Sequence, residues 1–195
     1  MMRFKIAVVF CVLAFAKAEL SPAQSTQKIE REEKIAIELF PKTALEFVNT
    51  ISNSRKKVKF YKETDGDKIS YEAKLKYQNR KYSIEFDEQG KIEDVEIQLS
   101  KRSIKKQAFL KIENYLDTVA RKYRIEKVQE QYVGENKTAI QIKEQIAQKL
   151  VDNYELIVAF KNNRKIYRRE YLFDNKGNFL SKRDIKRLEY DFLLF

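Results

Sequence analysis

The sequence predicts an α+β protein of two tandem repeats, each a helix packed on a curved antiparallel β-sheet. Three observations lead to this fold class. The turn sequence FDEQGKI at 86–92 recurs in altered form as FDNKGNF at 173–179. In both places a helical pattern and then strand-like alternation precede the turn, and a further strand-like run follows it. Four glycines and two prolines in 195 residues leave little sequence for long linkers, so most of the chain should form regular structure.

The chain begins with the features of a secretory signal peptide. Arg3 and Lys5 precede the apolar run 6–16, which is too short to span a bilayer as a stable helix, and small residues stand at the expected cleavage site. We therefore expect residues 1–18 to be removed on export, with a membrane anchor as the alternative. Residues 19–28 are polar and contain a proline, which predicts a disordered leader.

The charge of the chain is strongly positive. Removing Arg3, Lys5 and Lys17 with the signal peptide lowers the net charge from +11 to +8. A net charge of this size attracts anionic neighbours over a long range. For an exported protein, an anionic envelope surface suits this charge better than nucleic acid does. The alternative is a solvated surface with no partner.

The first repeat is expected to span 29–102. Pro41 stands before the segment 42–51, in which apolar residues recur every three or four positions, and this predicts a helix with one apolar face. Residues 68–77 alternate apolar and polar side chains without a break, which predicts a strand packed on one side only. The other predicted features of this repeat are strands at 56–63, 82–86 and 92–99, a turn at Gln78–Asn79 and a slip of register near Glu93–Asp94.

The second repeat is expected to span 103–195 and to contain an insertion at 134–151. Ser103 is the predicted N-cap of a long helix, because apolar residues follow at helical spacing from Ile104 to Tyr123. The insertion carries a further helical pattern at 138–150. The predicted strands of this repeat lie at 125–132, 154–160, 166–173 and 179–185, with a turn at Asn162–Asn163.

The two repeated turns share the pattern Asp-x-x-Gly. Asp87 and Asp174 can start each turn through their side chains, while Gly90 and Gly177 can take the left-handed conformation that closes a hairpin with a bulge. These four residues are therefore predicted to be turn-forming. Calcium binding is the alternative, but a calcium loop needs several oxygen ligands at alternate positions and a closing glutamate, and neither turn has this pattern.

The expected mature chain contains no histidine and no cysteine. This composition excludes a His-assisted serine or cysteine nucleophile and a zinc site with His or Cys ligands. We therefore predict no catalytic residue, no cofactor-binding residue, no metal ligand and no enzymatic activity. A small hydrolase that uses two carboxylates stays open as an alternative.

Tyrosines in the predicted strands are the candidate binding residues, because tyrosine gives a large contact area at a low cost in side-chain entropy. The alternative is that they lie at the boundary of the core with their hydroxyls reaching water, and the general behaviour of tyrosine favours this alternative. The candidates are Tyr71, Tyr82, Tyr154, Tyr167 and Tyr171.

Four segments of the first repeat resemble the PepSY-like inhibitor family of the Gram-negative envelope, which is related in fold to the β-lactamase inhibitor protein. The segments are 40–48 (FPxxAxxFV), 58–63 (VxFYKE), 71–73 (YEA) and 84–90 (IEFDxxG). In that family an aromatic residue often stands shortly after the turn glycine. Here Ile92 stands shortly after Gly90, which departs from this pattern. The resemblance implies an exported domain in which a helix covers an antiparallel sheet, and a role in binding or restraining peptidases or other envelope proteins. It implies no catalytic residues.

Together these features predict an exported, non-enzymatic binding protein of the cell envelope, periplasmic or secreted, that recognises or inhibits a protein or peptide. Two alternatives stay open: a surface-adhering protein that binds an anionic envelope polymer, and the small carboxylate hydrolase. No nucleic-acid partner and no transmembrane span after signal cleavage are expected.

Overall fold

The computed structural model describes residues 30–51, 57–162 and 165–185. The predicted signal peptide 1–18 and leader 19–28 lie outside these residues, as does Asn163 of the predicted Asn162–Asn163 turn.

Among these described residues, nine strands form one antiparallel sheet in which each strand pairs with the next along the chain. Their order in the sheet is therefore their order in the sequence. The strands are β1 Glu30–Ile35, β2 Lys59–Asp65, β3 Lys68–Tyr77, β4 Arg80–Phe86, β5 Ile92–Gln98, β6 Tyr123–Val133, β7 Asn153–Asn162, β8 Lys165–Asp174 and β9 Phe179–Asp184.

In the part of the chain that the structure describes, three α-helices join the strands. They are α1 Lys42–Ile51, α2 Lys106–Val119 and α3 Ala139–Gln148. The predicted Ser103 cap is wrong: Ser103 ends a short 3₁₀ helix, and α2 begins after Lys105, whose side chain caps nothing. By contrast, Thr138 and Gln141 form a reciprocal capping box at the start of α3. Among the described residues, no helix is long and apolar enough to cross a membrane.

The α+β class is confirmed, but a separate sheet for each repeat is not. Strands β5 and β6 pair over five residues, from Asp94 opposite Val133 to Gln98 opposite Gln129, and this pairing joins both halves into one sheet. In each half a helix is followed by four strands, with α3 between β6 and β7 in the second half. The predicted insertion 134–151 contains α3.

The helices and one side of the sheet form a single hydrophobic core. Phe47 of α1 packs edge-on against Phe86 of β4, with ring centroids 6.2 Å apart. Tyr115 of α2 packs in the same way against Phe173 of β8, at 5.6 Å. Ile142 of α3 is fully buried in the same cluster. All three helices therefore cover the same face of the sheet.

A bulge follows each Asp-x-x-Gly turn. In β5, Asp94 lies opposite Glu85 and Ile92 lies opposite Phe86, so Glu93 is the extra residue and the predicted slip of register is confirmed. In β9, Leu180 is the extra residue in the same way, between the partners of Leu172 and Phe173. The two bulges stand at equivalent positions after equivalent turns.

Both turns have the same hydrogen bonds. Asp87 Oδ1 accepts from the backbone N–H groups of residues 89 and 91, at 3.0 and 2.8 Å. Asp174 Oδ1 accepts from those of residues 176 and 178, both at 2.8 Å. Gly90 and Gly177 take left-handed φ angles of +78° and +82°. The aspartate side chains thus hold the turns closed, and the glycines supply a conformation that other residues adopt at a cost.

Each turn glycine also lies against the first turn of a helix. A Cβ on Gly90 would collide with the Thr43 side chain of α1, and a Cβ on Gly177 would collide with the Ala108 carbonyl of α2. Thr43 Oγ1 also donates to the Gln89 carbonyl at 2.9 Å. The hairpins are therefore fixed to the helices by close backbone approach, which places the helices on the sheet.

Substitution by alanine should destabilise the protein least at Gly66, more at Gly90 and most at Gly177. At Gly66, φ is +61° and the space around a Cβ is open, so Gly66→Ala should cost only about 1 kcal/mol for the left-handed conformation. Gly90→Ala adds a collision with a side chain that can rotate. Gly177→Ala adds a collision with backbone that cannot rotate, and its total cost should reach about 3 kcal/mol.

Urea denaturation measures the free energy of unfolding of the three variants. Gly66→Ala serves as the control for backbone conformation alone. An equal loss for Gly66→Ala and Gly177→Ala would contradict the role of the glycine–helix contact.

Candidate functional site

The face of the sheet opposite the helices carries polar side chains. Ala73 and Leu75 of β3 point into the core, so alternation along the strand sends Glu72 and Lys74 to the other side. Strand pairing extends this polar face across the neighbouring strands. We call it the polar face; its residues include Tyr61, Glu63, Ser70, Glu72, Lys74, Ser83, Glu85, Asp94, Glu96, Gln129, Gln131, Glu155 and Glu170.

Strand pairing sets carboxylates side by side on this face. Glu32 lies opposite Glu63 across β1 and β2, and Glu72 lies opposite Glu85 across β3 and β4. Carboxylate oxygens of Glu32, Glu63 and Glu72 all lie within 4.8 Å of one another, and we call these three residues the carboxylate cluster. Like charges at such positions repel, so their protonation and ion pairing decide whether the strands can pair.

Lys74 neutralises the centre of the carboxylate cluster. Its Nζ lies 2.6 Å from Glu32 Oε1 and 2.7 Å from Glu72 Oε2. The Ser83 hydroxyl donates to the other oxygen of Glu72. Burial works against the ammonium ion, but both glutamates outweigh it and raise the pKa of Lys74 above its usual range. Lys74 therefore stays charged at the centre of the cluster.

The two buried glutamates of the cluster titrate in opposite directions. Burial, with Glu72 and Glu85 nearby, raises the pKa of Glu63 to about 10. Burial also acts to raise the pKa of Glu72, but Lys74 and hydrogen bonds from Glu63 and Ser83 lower it overall. Glu63 is therefore protonated at neutral pH and shares a hydrogen bond with ionised Glu72.

Two further acidic side chains of the polar face, Asp94 and Glu96 of β5, lie opposite Glu85 and Ser83 of β4. Burial raises the pKa of Asp94 well above its usual range, and Glu85 and Glu96 add to this rise. Gln131 Nε2 donates to Asp94 at 3.0 Å, and Gln129 Nε2 donates to Glu96 at 2.7 Å. Each amide thus donates to one oxygen of a carboxylate on the neighbouring strand, while Asp94 Oδ1 is buried without a hydrogen bond among the described residues.

The carboxylate cluster offers the oxygen ligands that Ca²⁺ prefers. However, the Lys74 ammonium already lies in hydrogen-bond contact with two of the three carboxylates, and Glu63 is protonated. A metal ion would have to displace the ammonium and the proton. The arrangement favours an internal ion pair over a metal centre, and we assign no metal and no cofactor to it.

The polar face opens into a cavity of about 300 Å³ near the hairpin between β3 and β4. No acidic side chain of the described residues lines it. We call it the lysine cavity; it is lined by Lys57, Lys59, Lys74, Leu75, Lys76, Lys81, Tyr82, Ser83, Gln98, Lys127 and Gln129.

The structure does not bring the candidate tyrosines into one exposed patch. Tyr82, Tyr154 and Tyr171 are buried in the core that the helices cover. Tyr71 is half-buried and packs against Phe40, with ring centroids 5.8 Å apart. Tyr167 is 50% exposed near the start of β8. The core-boundary alternative fits Tyr71, whereas Tyr171 is fully buried together with its hydroxyl.

Sequence reasoning did not select the lysines or the glutamates of the polar face. A signal was present, since lysines occupy alternate positions at 57 and 59 and again at 74 and 76. Alternation placed these lysines on the side away from the core, but only strand pairing shows that the two runs lie side by side. Tyr61 was also not selected, and Lys74 Nζ lies 4.7 Å from the centre of its ring.

The wild-type protein should lose stability at high pH because the unfolded chain ionises Glu63 more readily than the folded protein does. Glu63→Gln should abolish this loss. The pKa of Glu63 rises from 4.5 to about 10 in the folded protein, so the folded state binds more protons than the unfolded state between these values. The contribution of Glu63 to stability is thus complete below about pH 4.5 and falls as the pH rises toward 10. Glu63→Gln, which mimics the protonated form, should equal the wild type near pH 5 and exceed it near pH 9 by more than about 1 kcal/mol.

Urea denaturation across this pH range tests the assignment. Glu88→Gln, in an exposed turn, is the matched control for removal of a carboxylate. A difference between Glu63→Gln and wild type that stays constant with pH would show that Glu63 is ionised in the folded protein.

Comparisons with known proteins give a fold but no family. No family model matches the chain, and no curated protein matches it. The resemblance to the PepSY-like family is therefore not confirmed.

Solved structures from Bacteroides share the architecture. The chain is similar to a DUF2874 family protein from Bacteroides ovatus, at 10% identity over 78% of this chain and 92% of that chain, with a TM-score of 0.52. A protein from Bacteroides eggerthii that is proposed to be periplasmic matches at 12% identity over 78% and 94%, with a TM-score of 0.53. A BLIP-like protein from Bacteroides fragilis matches at 13% identity over 78% and 92%, with a TM-score of 0.49. The first two comparisons show that the fold of this chain also occurs in these bacterial proteins.

Proposed function

We propose that the protein is a non-enzymatic binding protein of the cell envelope that recognises a protein or peptide on its polar face. One observation carries the proposal. All three described helices pack on the opposite face, so in the described part of the chain the polar face has no helix over it. An antiparallel sheet can leave one face toward water. Glu72 and Gln129 are buried among their neighbours on this face, so a partner would meet its half-buried residues, such as Glu85 and Gln131.

The side chains of the polar face are held in fixed positions before any partner arrives. Lys74 is paired with two glutamates, and Arg183 Nε lies 3.4 Å from Glu170 Oε1 farther along the sheet. Residues that are already ordered lose little entropy on binding. A face that mixes both charges in fixed positions suits a partner with complementary charges, because complementarity of this kind gives specificity.

Location in the envelope is supported by the predicted signal peptide 1–18, which lies outside the described residues. The fold is shared with the Bacteroides eggerthii protein proposed to be periplasmic. We extend that location to this chain as part of the proposal.

The carboxylate cluster bears on the alternative of a small hydrolase. Such an enzyme needs one protonated and one ionised carboxylate on either side of a substrate. Glu63 and Glu72 have these two states, but they are hydrogen-bonded to each other and neither lines the lysine cavity. Since Lys74 also neutralises Glu72, this pair is better explained as a structural device than as a catalytic one.

Blocking the polar face should remove partner binding without unfolding the protein. Ser181 lies on this face opposite Leu172, and Ser181→Arg places a long charged side chain there. Asn114→Arg, on the exposed side of α2, is the matched control because it adds the same side chain to the covered face. Crosslinking in native envelopes, followed by purification, should recover a partner with wild type and Asn114→Arg but not with Ser181→Arg.

The far-ultraviolet circular dichroism of both variants establishes that they are folded. Equal recovery with both arginine variants would contradict recognition on the polar face. Recovery that disappears for all proteins in moderate salt would instead favour general adhesion to an anionic polymer.

A further inference from the structure

We propose that the protein docks on the surface of an anionic phospholipid bilayer through basic residues on and around α2. This inference does not rest on the proposed recognition of a protein or peptide, because it uses the opposite side of the sheet. It stands on the distribution of charge between residues 101 and 122, on the exposure of those charges and on the start of α2.

The stretch from Lys101 to Lys122 carries most of the excess positive charge. It contains seven basic and two acidic residues, a net charge of +5, against +8 for the expected mature chain. The other two helices are balanced, since α1 and α3 each contain one lysine and one glutamate. We call the seven basic residues the basic surface; they are Lys101, Arg102, Lys105, Lys106, Lys111, Arg121 and Lys122.

All seven residues of the basic surface are exposed. None of the ion pairs among the described residues involves them. By contrast, Lys74, Arg168 and Arg183 of the polar face are paired with glutamates. Lys111 donates to the Asn178 side chain, which is uncharged. The charge of the basic surface is therefore not neutralised by ion pairs, and it attracts anionic groups.

The start of α2 adds to this positive charge. No side chain caps the helix at Lys105, and its first turn contains no acidic residue. The N-terminus of a helix carries a partial positive charge from its unpaired N–H groups. Four members of the basic surface precede or begin the helix, so an anionic surface meets their charges and the helix dipole together.

The basic surface is extended, which favours a bilayer over a small anion. Its members lie before, along and after α2, whose 14 residues span about 21 Å. Ala108, Ile112 and Leu116 are buried in the core, so the other side of the helix faces away from the sheet. On that side Leu110 is 49% exposed. In helices that bind at a membrane interface, such an apolar side chain enters the headgroup region while basic residues contact lipid phosphates.

Docking in this orientation is compatible with the recognition proposed above. The helix α2 and the polar face lie on opposite sides of the sheet. A bilayer against α2 therefore leaves the polar face in the aqueous phase, where a protein or peptide can reach it.

Sedimentation of the purified chain with vesicles at low ionic strength tests the docking. The chain should sediment with vesicles of equal amounts of phosphatidylcholine and phosphatidylglycerol but not with phosphatidylcholine vesicles, and added salt should release it. The quadruple variant Lys101→Gln/Arg102→Gln/Lys105→Gln/Lys106→Gln should bind the anionic vesicles about a hundredfold more weakly, because each basic residue at a membrane surface contributes to binding. Far-ultraviolet circular dichroism establishes that the variant is folded.

The matched control is Lys57→Gln/Lys76→Gln/Lys161→Gln/Lys165→Gln, which removes the same charge from exposed positions outside the basic surface. It should bind the anionic vesicles as the wild type does. Equal weakening in both quadruple variants would overturn the basic surface, because binding would then follow net charge alone. Binding to soluble dextran sulfate without binding to either kind of vesicle would overturn the bilayer in favour of an anionic polymer.

Tryptophan fluorescence reports the orientation, because the chain contains no tryptophan of its own. Leu110→Trp places one on the exposed side of α2. Ile166→Trp places one on the same side of the sheet as the polar face, where Ile166 lies opposite Lys161 and is 58% exposed. On addition of the anionic vesicles, the emission of Leu110→Trp should shift to shorter wavelengths and that of Ile166→Trp should not. A shift in Ile166→Trp alone, or in neither variant, would overturn docking through α2.

Discussion

The ammonium group of Lys74 is the interaction on which the polar face depends. Strand pairing brings Glu32, Glu63 and Glu72 together, and three carboxylates cannot all be ionised at such short range. Lys74 binds two of them, while Glu63 keeps its proton. Removal of the lysine would leave a buried charge without a partner, which is far more costly than the loss of an exposed ion pair. The same side chain also lines the lysine cavity, so the carboxylate cluster and the cavity share one residue.

The covered face depends on a different constraint, the contact between turn and helix. The glycine of each Asp-x-x-Gly turn leaves room for the first turn of a helix, and the aspartate holds the turn closed. This explains why the same seven-residue pattern occurs twice: each occurrence forms a hairpin, makes a bulge and seats a helix. The pattern is thus explained by folding requirements, with no need for a ligand.

Much of the fold could be predicted because local patterns determined it. Strand β3 occupies Lys68–Tyr77 as predicted, since its alternation is unbroken and turn residues follow it. The start of α2 could not be predicted from Ser103, because Ser103 ends a 3₁₀ turn and an extended Ile104 separates that turn from the helix. The polar face could not be predicted from alternation alone. Which lysines and glutamates become neighbours depends on the register of five strands, and a shift of one residue in any of them would move its side chains to the other face.

The order of the strands in the sheet bears on how the chain folds. Each strand pairs with the strand before it, so no strand must wait for a distant part of the chain. Pairing with the preceding strand keeps the loop that must close short for each hairpin, which favours faster folding than pairing with distant strands. A polypeptide that emerges from a translocation channel with its N-terminus first could therefore build the sheet one strand at a time. At every stage only β1 and the newest of the described strands would present an unpaired edge to aggregation.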